Sequence, residues 1–192
     1  AAAAAGADRL EPVLELARDD LNRGHPERVV AAMKALAARQ DSAECQLLWA
    51  QAEDDLGDFA SAQARVKAAR RSFPRAPAVI RTEARQARRG DRRTEALDLF
   101  QVVLSLRYDD LETRRSLVNE LLSEARLDDA LREQEKLLSL DPTDLSMWAR
   151  RGELLAHNGR AEPAKAAFAQ ALALSRVRQI QQMLSRAKEN RD

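Results

Sequence analysis

Four alanines, Ala62, Ala96, Ala130 and Ala164, stand 34 residues apart three times running. A fixed period of that length marks stacked helical hairpins, each too small to bury its own apolar face alone. Other positions repeat with the alanines. Val66, Phe100, Gln134 and Phe168 follow four residues later, and Ala69, Val103, Leu137 and Ala171 follow seven later. At twelve come Pro74, Tyr108, Pro142 and Arg176. Gly57 and Gly159 precede their alanines by five residues, while Gly90 is displaced by one. Each feature has a local reason. A small residue lets two helices approach closely, and a bulkier one a turn later fills the gap between hairpins. Glycine supplies the turn after the first helix, and proline stops the second.

These residues make the chain resemble the tetratricopeptide repeat (TPR) family over nearly its whole length. The clearest copy is 145–178, LSMWARRGELLAHNGRAEPAKAAFAQALALSRVR, where Trp148, Gly152, Leu155, Gly159, Ala164, Phe168 and Ala171 fall on the signature positions. Copies 43–76, 77–110 and 111–144 match at Ala50, Ala62 and Ala69, at Ile80, Ala84 and Phe100, and at Leu117, Ala130 and Leu137. A weaker copy, about 10–42, matches at Val13, Leu16, Ala17, Gly24, Val29 and Met33 with its spacing one residue short. Asp20, Glu53, Glu83, Arg114 and Arg151 depart from the pattern, placing charge where the family packs apolar or aromatic residues. The resemblance implies an all-α fold: a single right-handed TPR superhelix, an alpha solenoid, over 1–192.

Both ends carry expectations of their own. Val177, Ile180, Met183, Leu184 and Ala187 share one helical face, so a C-terminal capping helix is expected over about 179–191. A membrane-surface helix is the rival reading, but this face is short and lacks Trp and Phe. The alanine run at 1–5 and the missing initial Met suggest a fragment or a processed product.

Chemistry is sparsely signalled. Cys45 is the sole cysteine, set among Leu47, Leu48 and Trp49, which suits a buried structural thiol. His25 and His157 lack the spacing of a zinc pair. Of the acidic runs at 53–55, 109–110 and 128–129, two sit at predicted helix starts, where acids suit capping better than metal binding. There is no phosphate loop and no nucleophile elbow. The chain reads as a non-catalytic scaffold needing no cofactor and no metal.

Charge comes in blocks. Residues 1–64 carry net −6, residues 65–93 net +9, residues 94–145 net −7 and residues 146–192 net +5, which sum to the net +1 of the chain. The resemblance implies that positions 2, 5, 9, 12 and 13 of each repeat line a concave groove, which are Ala78, Arg81, Arg85, Arg88 and Arg89 in copy 77–110. In copy 43–76 they are Glu44, Leu47, Gln51, Asp54 and Asp55, so the groove is expected to be acidic at one side and basic at its centre. Arg81, Arg85 and Arg88 form one stripe, and guanidinium forks suit carboxylates. Arg115, Asn119 and Arg150 join them as candidate groove residues. Arg115 and Asn119 resemble the first pair of the clamp some TPR domains use on a C-terminal carboxylate. Arg150 stands where that clamp requires Asn, which argues against chaperone-tail binding.

The partner expected is therefore a protein with an acidic surface or peptide. Nucleic acid fits poorly, because only Phe73 interrupts the basic band and the neighbouring block is acidic. Arg outnumbers Lys 27 to 5, as in GC-rich genomes, which points to a bacterial source. Within TPR scaffolds, a periplasmic module of envelope or exopolysaccharide-export assembly is preferred. The alternative is a cytoplasmic adaptor or secretion chaperone that binds an acidic segment.

Blocks of alternating sign should also drive head-to-tail self-association. Sedimentation velocity at low ionic strength is then expected to show species larger than the monomer that high salt dissociates. An identical monomer in both buffers would exclude charge-driven assembly.

Overall fold

The computed structural model describes residues 2–37 and 42–189, with side chains described for 10–37 and 42–182. Ten helices are described: α1 (Ala2–Asn22), α2 (Pro26–Ala37), α3 (Ala43–Asp55), α4 (Phe59–Ser72), α5 (Pro77–Arg89), α6 (Arg93–Leu106), α7 (Leu111–Ser123), α8 (Leu127–Leu140), α9 (Leu145–His157) and α10 (Ala161–Glu189). They pair in sequence as antiparallel hairpins. Two compact units result, Ala1–Tyr108 and Asp109–Asp192. The first holds α1 to α6 and the second α7 to α10.

The period is visible in the backbone. Helices α3, α5, α7 and α9 begin at Ala43, Pro77, Leu111 and Leu145, and their partners at Phe59, Arg93, Leu127 and Ala161, so both sets step by 34. Ser42, Asp110 and Asp144 cap α3, α7 and α9 by accepting the backbone N–H groups of Cys45, Thr113 and Met147. Helix α5 starts instead with Pro77 in its first turn, where a missing N–H has no consequence.

Every first helix from α3 onward closes in the same way. Gly57, Asp91, Ala125 and Gly159 have left-handed φ of 81°, 56°, 55° and 72°. Their N–H groups bond three residues back, to the carbonyls of Asp54, Arg88, Leu122 and Ala156. The next N–H groups reach five back, from Asp58 to Glu53 at 2.8 Å and from Arg126 to Leu121 at 2.8 Å, with Arg92 and Arg160 doing the same. This paired pattern is the Schellman turn, which satisfies carbonyls that a helix end would strand. Gly90, displaced by one from the period, does not take the left-handed turn: it has φ −85°, and the left-handed residue is Asp91. The turn keeps its period even where the sequence supplies no glycine for it.

The four periodic alanines are buried: Ala62, Ala96 and Ala130 fully and Ala164 nearly so. In the first unit, Leu14, Ala17, Val29, Met33, Cys45, Leu48 and Ala52 make one core cluster, and Ala50, Ala62 and Val66 make another. In the second, Leu131, Leu155, Ala164 and Ala167 pack with Trp148. Gly152 lets the Phe168 ring approach so closely that an added Cβ would lie 2.7 Å from it.

Several charges that break the apolar pattern find partners within a hairpin or on the neighbouring one. Glu53 of α3 takes two bonds from Arg65 of α4, at 2.6 and 2.9 Å, and the Arg65 guanidinium lies 3.4 Å over the Trp49 ring. The buried Arg114 of α7 donates to Glu133 of α8. Glu83 pairs with Arg70 at 3.2 Å, and Arg151 donates to the Leu131 carbonyl at 3.3 Å.

The expected capping segment is helical but not separate, since α10 runs unbroken to Glu189. Arg176 occupies the place where Pro74 and Pro142 follow earlier repeats, but Tyr108 holds it too and α6 still ends at Leu106, so a missing proline does not by itself carry the helix on. Val177 and Ile180 are exposed, while the side chains of Met183, Leu184 and Ala187, like the alanine run at 1–5, lie outside those described.

Ala125 has a Cβ in a left-handed position, a conformation that costs a non-glycine residue about 1 kcal/mol or more. Ala125→Gly should therefore raise the unfolding midpoint by about 2–4 °C in a thermal melt. Gly57→Ala, at φ 81°, should lower it by a comparable amount.

Candidate functional site

The first unit carries a groove of about 820 Å³ between α3 and α5. Its walls are built by helical periodicity. Glu44, Leu47, Gln51, Asp54 and Asp55 come from α3, while Ala78, Arg81, Thr82, Arg85, Gln86 and Arg89 come from α5. Leu48 and Ala50 lie deeper, and Phe59, at the start of α4, stands at one end with 65% of its surface exposed. The acidic wall is thus Glu44, Asp54 and Asp55, and the facing basic wall is Arg81, Arg85 and Arg89.

The walls are bridged. Arg89 donates across the groove to Asp54 at 2.7 Å. With Arg89 mostly exposed, such a pair contributes less than about 1 kcal/mol. Beyond this bridge lies a second depression of about 390 Å³, lined by Asp54, Phe59, Gln63, Gln86, Arg89 and Gly90. Phe59 and the bridge therefore border both. At the far end of the acidic wall, Glu44 accepts from Arg18 of α1. That hydrogen bond is the main reason the Arg18 pKa lies above its ordinary value, against a smaller opposing effect of burial.

Of the stripe expected on α5, Arg81 and Arg85 are brought into the groove and Arg88 is not. Arg88 is exposed and absent from the lining residues, whereas Arg89, expected there by repeat position as well, is among them. The reason is angular. At about 100° per residue, Thr82, Arg85 and Arg89 all fall to one side of Arg81, while Arg88 falls about 20° to the other.

The remaining candidates belong to the second unit. Arg115 of α7 donates to Asp144 at 2.6 Å. Asn119 is exposed one turn further along α7, and Arg150 is half-buried on α9. Sequence reasoning missed Asp144, although its spacing of 34 from Asp110 marked a helix cap. Burial by itself would raise the Asp144 pKa. Bonds from the Ser146 hydroxyl, the Met147 N–H and Arg115 more than offset it, leaving the carboxyl below its ordinary value.

Cys45 is buried with its thiol toward the Met33 carbonyl, 3.8 Å away. Among the described residues no three His, Cys, Asp or Glu side chains are placed to hold a metal, and no helix is long and apolar enough to cross a membrane.

Paired helices stepping by 34 residues, closed by one recurring turn around buried alanines, define the tetratricopeptide-repeat fold. Known structures agree. The chain is similar to the MamA RS-1 ArsTM double mutant, with TM-score 0.72 and 17% identity over 88% of this chain and 95% of that one. It is similar to MamA from Desulfovibrio magneticus RS-1, with TM-score 0.71 and 17% identity over 87% and 95% of the two chains. It is also similar to YrrB, described as a TPR protein with an unusual peptide-binding site, with TM-score 0.65 and 20% identity over 85% and 84%. No protein-family model matches the sequence, and no curated protein matches it.

Because the folded Asp144 pKa lies below the ordinary 3.8, this carboxylate stabilises the fold above about pH 4 and stops doing so as pH falls through its folded value. Asp144→Asn should lower the melting midpoint near neutral pH by about 2–4 °C, the equivalent of about 1 kcal/mol. The gap from the parent protein should close on acidification below pH 3.8. A gap independent of pH would mean that the Asp144 charge does not matter.

Proposed function

We propose that this chain is a non-catalytic protein-interaction scaffold that captures its partner in the α3–α5 groove. The observation that carries the reading is the groove itself: polar and charged side chains of α3 and α5 over the apolar Leu47 and Leu48, enclosing about 820 Å³. The TPR fold supports it, as does the peptide-binding site ascribed to YrrB, a structural neighbour. The partner presents acidic side chains to the α5 wall, where Arg81 and Arg85 offer guanidinium forks suited to carboxylates. Arg115, Asn119 and Arg150 form a subsidiary contact region on the second unit. The array also associates head to tail through its charge blocks.

The setting we favour is a bacterial periplasm, with the scaffold serving as a module of envelope or exopolysaccharide-export assembly. The Arg-over-Lys bias and the diverged repeats support that choice over a cytoplasmic adaptor or secretion chaperone. Fractionation of the source cells, with co-purification of export components, tests it; recovery in the cytoplasm would favour the adaptor.

For the groove, fluorescence anisotropy with a labelled acidic peptide is the direct test. Arg81→Glu with Arg85→Glu should weaken binding by about a hundredfold, or close to 3 kcal/mol. Arg88→Glu, outside the lining, should change it by less than about threefold. Equal effects of the two variants would show that general surface charge, rather than this groove, holds the peptide.

A further inference from the structure

The groove has two charged walls, and an acidic partner answers only one of them. Glu44, Asp54 and Asp55 on α3 face Arg81, Arg85 and Arg89 on α5, with Glu44 also held by Arg18 and Asp54 bridged to Arg89. A uniformly acidic segment lying along the groove would meet attraction at Arg81 and Arg85 and repulsion at Asp55. The Asp54–Arg89 bridge shows that side chains of opposite sign reach across from wall to wall.

The spacing along the walls adds a second constraint. Arg81 to Arg89 is about 12 Å of helix, the length of about four residues of extended chain. In an extended chain successive side chains point to opposite sides. A strand-like segment lying along the groove therefore sends one set of side chains to α3 and the alternate set to α5. Phe59, exposed at the end beside the Asp54–Arg89 bridge, offers an apolar seat for the residue where such a segment leaves the groove.

Resting on the groove reading above, we propose that the occupant is a short extended peptide segment of alternating acidic and basic residues, carrying an apolar residue at the end that meets Phe59. Its acidic side chains address Arg81 and Arg85, and its basic ones address Asp55 and the outer part of the α3 wall. Alternation, rather than net charge, is what the groove selects.

Three labelled probes of equal length, each ending in leucine, test this by anisotropy at moderate salt: alternating Glu and Lys, the same residues in two blocks, and all Glu. The alternating probe should bind about tenfold more tightly than either of the others. Asp55→Lys should abolish that preference from the acidic wall. Arg81→Glu with Arg85→Glu, which makes both walls acidic, should switch preference to an all-Lys probe. Phe59→Ala should weaken the leucine-ended alternating probe about fivefold and leave an alanine-ended version unchanged. Circular dichroism melts of each variant establish that it is folded. Equal binding of the alternating and block probes overturns the inference. Tighter binding of the all-Glu probe also overturns it, while leaving the acidic-partner reading intact. No measurable binding of any probe to the parent protein overturns both.

Discussion

Close approach of paired helices at small residues is the constraint on which the rest of this structure depends. Ala62, Ala96, Ala130 and Ala164 have no side chain to hold the helices apart, and burying them brings the apolar stripes of each hairpin into contact. A hairpin of two such short helices cannot bury enough surface to be stable alone. Stacking against a neighbour is therefore obligatory within each unit, and its geometry must repeat as the alanines do. The Schellman turns serve that geometry. They hold the chain reversal at one register, including at Asp91 and Ala125, where a left-handed backbone has to be imposed on residues that disfavour it. The local strain is tolerated because the packing on either side fixes the turn.

The charges that interrupt the apolar pattern follow a rule only the fold reveals. Glu53 and Arg65 lie twelve residues apart, and Arg114 and Glu133 lie nineteen apart, yet each pair meets inside one hairpin. Arg65 and Glu133 occupy the same place in successive alternate repeats, on the second helix, with opposite sign. A buried charge deprived of its partner costs about 3–5 kcal/mol. Each pairing thus resists register shifts that an all-apolar interior would permit. Trp49 adds a flat surface over which the Arg65 guanidinium lies, so the cation is both paired and covered.

The groove shows how far periodicity reaches into function. Repeat position is enough to set Glu44, Asp54 and Asp55 on one wall and Arg81 and Arg85 on the other, because side-chain direction on a straight helix follows from residue number. It is not enough at the edge of the face. Arg88 and Arg89 are adjacent, and which one looks into the groove depends on how α5 is rotated against α3, which packing decides. The same holds in the second unit for Arg115, whose engagement with Asp144 joins the cap of one helix to the face of another.

The sequence alone determined the helical hairpin, its length and most of the groove's charge, since these follow from the 34-residue period and from the chemistry of small, turning and helix-stopping residues. It also located the helix stops at Pro74 and Pro142. Only the tertiary structure decided which charges pair, which residue takes the left-handed turn and which arginine closes the groove. Those outcomes depend on helix rotation and on contacts between side chains far apart in the chain, and a local pattern carries neither.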